Sequence, residues 1–191
     1  MKVGFIGLGK LGLPVSLAIN SKNHEVLGYD INPKINSKTK IKDCIYTHEK
    51  DENLSGNLDN MIAKSTLKFA DSLEECVKFG DIIFVAVQTP HNKIYGGQVP
   101  IPNVREDFNY DYIVQCIKDI GNILDKYSIN KIVTIISTVL PGTIRKYILP
   151  IMSKNINLCY NPFFIAMGTV VHDFYNPEFI LLGKLDKEAE D

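Results

Sequence analysis

Close to its N-terminus the chain reads Val3-Gly4-Phe5-Ile6-Gly7-Leu8-Gly9-Lys10-Leu11-Gly12. A short apolar run breaks into glycines, and a helical pattern follows at once. Few folds accept that order. The Gly-x-Gly-x-x-Gly spacing between a strand and a helix is the dinucleotide fingerprint, and its acidic partner is expected roughly 20 residues on, at the end of the next strand. Asp30 stands there, after the strand-like run Glu25–Tyr29. Each residue type has a physical reason. Gly7 permits the tight turn, Gly9 lets the backbone approach a pyrophosphate, and Gly12 lets helix and strand pack closely. The backbone of Leu8, Lys10 and Leu11 completes the loop, and the helix start offers N–H groups and positive potential to phosphates. Asp30 would accept hydrogen bonds from the adenosine ribose and repel a 2′-phosphate, which selects NAD over NADP. Lys34 either reaches the same ribose or is a solvated surface lysine. The alternative for the whole motif is a tight glycine turn without a ligand.

The rest of the chain repeats the alternation of strand and helix. Val3–Ile6, Glu25–Tyr29, Leu67–Phe69, Asp81–Val87, Lys131–Ser137, Ile156–Tyr160 and Phe179–Gly183 read as strands. The run Asp81–Val87 is almost wholly apolar, as a central strand covered on both faces must be. Gly12–Lys22, a segment from Asp71 or Ser72 to Lys78, Tyr110–Tyr127 and Pro141–Met152 read as helices. In Tyr110–Tyr127 the apolar positions Tyr110, Ile113, Val114, Ile117, Ile120 and Leu124 follow helical spacing. Asn32–Lys64 is polar and predicts short helices and loops. The expected fold class is α/β, a doubly wound parallel sheet in a single domain over residues 1–183. Residues 184–191 form a charged tail.

Charge narrows the partners. Lys and Arg number 21, Asp and Glu 22, and the net charge is −1, so no global basic field invites nucleic acid or an anionic membrane. No apolar stretch is long enough to span a bilayer and the N-terminus lacks a signal-peptide layout. The expected compartment is the cytoplasm. The cysteines Cys44, Cys76, Cys116 and Cys159 form no CxxC pair and no metal spacing, so no metal is expected.

Beyond Asp81 four segments resemble one family. Phe84-Val85-Ala86-Val87-Gln88-Thr89-Pro90 resembles a strand end of the UDP-glucose/GDP-mannose dehydrogenases. Ser137-Thr138-Val139-Leu140-Pro141-Gly142-Thr143 is similar to their S-T-V-x-P-G-T segment, and Asn161 to Thr169 to their N-P-E-F-L-x-E-G-T segment. Val171 to Gly183, with Asp173, Asn176-Pro177 and Gly183, resembles the family's next segment, D-x-x-N-P-D-R-x-x-I-G. The resemblance covers the family's N-terminal, Rossmann-type NAD-binding domain. It implies oxidation of a nucleotide-sugar alcohol with NAD. It also implies that Val87, Thr89, Ser137 and Thr138 border the cofactor, with Thr138 near the nicotinamide and the catalytic water. Thr138 equally fits a cap for a helix starting near Pro141.

Two departures stand out. Where the family has an acid/base glutamate this chain has Phe163, and a phenyl ring cannot move a proton. A second glutamate is replaced by Met167. Asn176-Pro177-Glu178-Phe179 spells N-P-E-F, but the order of motifs assigns it elsewhere. The family's nucleophilic cysteine and catalytic lysine segments do not occur here. The sugar, a UDP- or GDP-hexose, would be bound by a further domain, and a homodimer is expected only with that continuation. A non-catalytic NAD(H)-binding accessory module and a β-hydroxyacid-type dehydrogenase domain remain the competing readings.

Overall fold

The computed structural model describes residues 1–44, 57–96, 100 and 103–184. Six strands lie parallel: β1 (Lys2–Ile6), β2 (Glu25–Tyr29), β3 (Lys68–Phe69), β4 (Ile82–Val85), β5 (Lys131–Ile135) and β6 (Ile156–Tyr160). Their order is β3-β2-β1-β4-β5-β6, and a two-residue β7 (Gly183–Lys184) closes the edge antiparallel to β6. The chain moves outward from β1 to β3, then crosses back to β4 on the other side of β1. Ligand sites of doubly wound sheets form at that reversal, outside the carboxyl ends of the strands.

Strand periodicity divides the core. Val3, Phe5 and Phe84 point to one face, which is covered by α1 (Gly12–Ser21), α2 (Asn57–Lys64) and α5 (Val170–Tyr175). Ile6, Ile83, Val85, Val133, Ile135 and Leu158 point to the other, under α3 (Leu73–Phe79) and α4 (Asp111–Tyr127). In α4 Ile113, Ile117, Ile120, Gly121 and Leu124 are buried, one stripe of a 3.6-residue period. Each of its apolar side chains contributes about 1.5–3 kcal/mol by leaving water. The pattern of α1 predicts a mostly buried face, and the structure buries Gly12 to Asn20 without a break. The cause is α5, whose Tyr175 hydroxyl donates to the Ala18 carbonyl at 3.1 Å and pairs with the Ser21 hydroxyl. That helix carries no periodicity long enough to be seen in the sequence.

Two expected elements are corrected. Pro141–Met152 is not an α-helix: a π-helical turn spans Ile144–Ile148 and a 3-10 turn Leu149–Ile151. Gly142 sits at φ 88°, which breaks a right-handed start at Pro141, and Pro150 lacks the N–H for a bond back along a helix. Thr143, not Thr138, precedes that turn, and no side chain caps it, so the capping role considered for Thr138 falls away. Phe179–Gly183 is not a strand either; only Gly183 and Lys184 pair with β6. Phe179, Ile180, Leu181 and Leu182 lie exposed instead. Residues 185–191 of the charged tail lie outside the described residues.

Candidate functional site

The segments after β1, β2, β4, β5 and β6 all emerge at one edge of the sheet, because those strands are parallel. The first is the glycine loop. Gly7 adopts φ 91°, a conformation that L side chains rarely adopt, and a Cβ there would meet the Ala86 carbonyl oxygen at 2.5 Å. At Gly12 a Cβ would meet the Gly7 oxygen at 1.8 Å. Packing within the protein therefore requires glycine at both places. Gly9 differs. A Cβ there would meet nothing within 4 Å, and its φ is not in the left-handed region. The protein alone does not explain why Gly9 lacks a side chain. Open space over the backbone, at the start of a helix that no side chain caps, suits a phosphate-sized anion.

Asp30 closes the loop from the side. Its Oδ2 accepts the Leu8 N–H at 2.8 Å and its Oδ1 accepts the Asn32 N–H at 2.8 Å. An ionised carboxylate has about four lone-pair sites, so each oxygen keeps one for a ligand hydroxyl. The Leu8 side chain is fully buried, and a Cβ on Gly28 would meet it at 2.9 Å. Leu8 thus anchors the loop to β2 through packing and offers a ligand only backbone. Leu11 is half-buried against the same core, while Lys10 and Lys34 are exposed at the rim.

The segments after β4 and β5 form the other wall, and they are tied together. Ser137 is buried and donates to the Val87 carbonyl at 2.7 Å. Thr89 donates its hydroxyl to the Thr138 carbonyl at 2.7 Å. Thr138 itself is exposed, leaving its side chain toward solvent at the sheet edge. Val87 packs on the core under them. Sequence periodicity counts Tyr110 only as an apolar helix position, yet its hydroxyl donates to Asp107 at 2.6 Å and accepts the Leu140 N–H at 3.3 Å. Burial, and then the Asp107 carboxylate, raise its pKa above the ordinary tyrosine value.

After β6, Phe163 packs its ring on Phe174 with centroids 5.5 Å apart, as part of the core under α5. It serves packing where a carboxylate would serve proton transfer. Met167 and Glu178 are exposed. None of the four cysteines forms a disulfide. Burial pushes the Cys76 thiol up to about 12 and raises Cys44, Cys116 and Cys159 as well. Burial thus disfavours the thiolate at each, which works against a nucleophilic role. Among the described residues no group of three His, Cys, Asp or Glu side chains converges as a metal site. No helix among them is long and apolar enough to cross a membrane.

Residues 1–191 match the sequence profile of the UDP-glucose/GDP-mannose dehydrogenase family, NAD binding domain. GDP-mannose 6-dehydrogenase of Pseudomonas putida is 26% identical over 202 residues, which is 100% of this chain and 42% of that protein. UDP-N-acetyl-D-mannosamine dehydrogenase of Pyrococcus horikoshii is 25% identical over 188 residues, 98% of this chain and 38% of that protein. A crystal structure of GDP-mannose dehydrogenase from Pseudomonas aeruginosa aligns with a TM-score of 0.76 at 25% identity, covering 100% of this chain and 42% of its own. The chain spans about two fifths of the length of these relatives.

Proposed function

Because this chain belongs to the UDP-glucose/GDP-mannose dehydrogenase family and spans its NAD binding domain, we propose that its strand-end crevice serves an oxidoreductase acting on the CH–OH group of a nucleotide sugar. The cofactor is NAD. The observation that carries its placement is Gly9, the loop glycine that no neighbour requires. Bound there, NAD supplies the hydride acceptor. The chain's own residues hold and orient it. Gly7, Gly9 and Gly12, with the backbone of Leu8, Lys10 and Leu11, shape the cradle for the pyrophosphate at the start of α1. Asp30 takes the adenosine ribose hydroxyls, with Lys34 at the same ribose. Val87, Thr89, Ser137 and Thr138 border the nicotinamide half, and the exposed Thr138 hydroxyl orients substrate or water.

Residues 1–183 form the cofactor domain in this reading. The UDP- or GDP-hexose, the thiol chemistry and any homodimer contact belong to residues outside 1–191, and the protein works in the cytoplasm. Burial that disfavours the Cys76 thiolate, and Phe163 packed in the core, support assigning proton transfer and thiol chemistry elsewhere. The same observations favour a second reading, an NAD(H)-binding accessory module. NADH formation from NAD with a panel of UDP- and GDP-hexoses, using the protein carrying this chain, separates the two.

Cofactor choice is tested by titrating the chain with NAD and NADP. NAD should bind at least about tenfold more tightly, a difference of about 1.4 kcal/mol. Asp30→Ala should weaken NAD and narrow that ratio. Equal affinities in the unaltered chain, or a preference for NADP, would remove the role given to Asp30.

A further inference from the structure

Tyr110 is only 6% exposed, yet its hydroxyl lies where two strand-end segments meet. A tyrosine hydroxyl has one hydrogen, and an ionised carboxylate only accepts. Asp107, at 2.6 Å, therefore takes that hydrogen, and the oxygen's lone pairs are left to receive the Leu140 N–H at 3.3 Å and the Thr143 hydroxyl. The ring is fixed as well, 5.3 Å from Tyr147 and 6.3 Å from Phe108. The neighbouring backbone is held by the Asn109 N–H, which donates to the Pro90 carbonyl at 2.8 Å. The segment 137–140 is thus pinned at both ends, by Ser137 to Val87 and by Leu140 to Tyr110. Thr138 hangs between those pins and receives the Thr89 hydroxyl on its carbonyl.

A doubly wound sheet binds the two halves of a dinucleotide on the two sides of its reversal point. Asp30 and the glycine loop lie on the β1–β2 side, and Tyr110 acts only on the β4–β5 side. We infer that Tyr110, oriented by Asp107, is a positioning residue for the nicotinamide half of the cofactor site, fixing the 138–140 segment and with it the Thr138 hydroxyl. The inference rests on the NAD reading above.

ADP-ribose and NADH separate the two halves, because ADP-ribose lacks the nicotinamide. Both are titrated into the chain and into its Tyr110→Phe, Asp107→Ala and Asp107→Asn forms. Tyr110→Phe keeps the ring packing and loses the hydroxyl. It should weaken NADH about fivefold, the worth of one net hydrogen bond, and leave ADP-ribose affinity within about twofold. Asp107→Ala should act in the same way, and Asp107→Asn should restore most of the loss because the carboxamide oxygen still accepts. The Asp107 pair keeps the test decisive if Tyr110→Phe does not fold. Unchanged NADH affinity in Tyr110→Phe and Asp107→Ala overturns the inference. So does equal weakening of both ligands, which would mark a general loosening. Failure of the unaltered chain to bind either ligand overturns the NAD reading itself.

Discussion

Gly9 and Gly12 close the same loop but meet a methyl group differently. At Gly12 the added carbon would lie 1.8 Å from a backbone oxygen, whereas at Gly9 it would touch no protein atom. Gly12→Ala should therefore displace the start of α1 and destabilise the fold by about 1–3 kcal/mol, the usual scale of overpacking. Gly9→Ala should leave the melting temperature nearly unchanged, within about 0.5 kcal/mol of stability, and weaken NADH at least about tenfold. Thermal melts and an NADH titration on the two variants check the pair. Gly7 and Gly12 were legible in the sequence because a tight turn and close packing each demand glycine, and the position of Asp30 after β2 followed from the strand pattern. Leu8 was not: its letter says only apolar, and its anchoring on Gly28 exists only once β2 lies alongside. Tyr110 was legible as a core residue, but not as a hydrogen-bonding one, because Leu140 lies 30 residues away in sequence.

Helix ends decide how well the elements could be read. Ser72 caps α3 by accepting the Glu75 N–H at 3.2 Å, while Glu75 accepts the Asp71 N–H at 2.9 Å. The Glu75 carboxylate thus reaches one residue past the cap, and the part visible in sequence is the serine placed just before the helical stretch. Ser72→Ala should cost about 1 kcal/mol in a denaturant titration. The Pro141–Met152 expectation failed because apolar spacing does not reveal that Gly142 turns left-handed. At α5, Asp173 holds the preceding turn. The Thr169 hydroxyl, then the Ala166 N–H, and then His172 hold its carboxyl below the usual carboxylate range. A depressed folded pKa gives stability that is fully present above the unfolded value of about 3.9. That stability is lost as pH falls through the lower folded value. An acid titration followed by circular dichroism should show Asp173→Asn less stable near neutrality and less sensitive to acid than the unaltered chain. Parallel acid curves for the two would contradict it.

At the scale of the whole molecule, the sheet order places every strand end that the motifs occupy along one edge, and alternation of strand and helix was enough to foresee that. The antiparallel β7 and the exposed run before it were not foreseeable, because Phe179 to Leu182 look like a buried strand by composition. In the fold the Phe179 and Phe164 rings meet at a tilt with centroids 4.4 Å apart, both more than half exposed, and Met167 and Ile180 to Leu182 are exposed as well. Apolar side chains exposed in a run bind apolar probes, and where they join into a large patch they mark an interaction site or an aggregation liability. The chain should enhance the fluorescence of an apolar dye such as ANS in its native state, and Phe179→Ser with Leu181→Lys should reduce that signal without lowering the melting temperature. In the proposed reading NAD lies across the reversal point between β1 and β4. A crystal structure of the chain grown with NADH tests it most directly. The account predicts the pyrophosphate over Gly9 at the start of α1, the adenosine ribose on Asp30, and the nicotinamide beside Thr89 and Thr138. A dinucleotide bound elsewhere on the molecule, or a crevice still empty at saturating NADH, would contradict it.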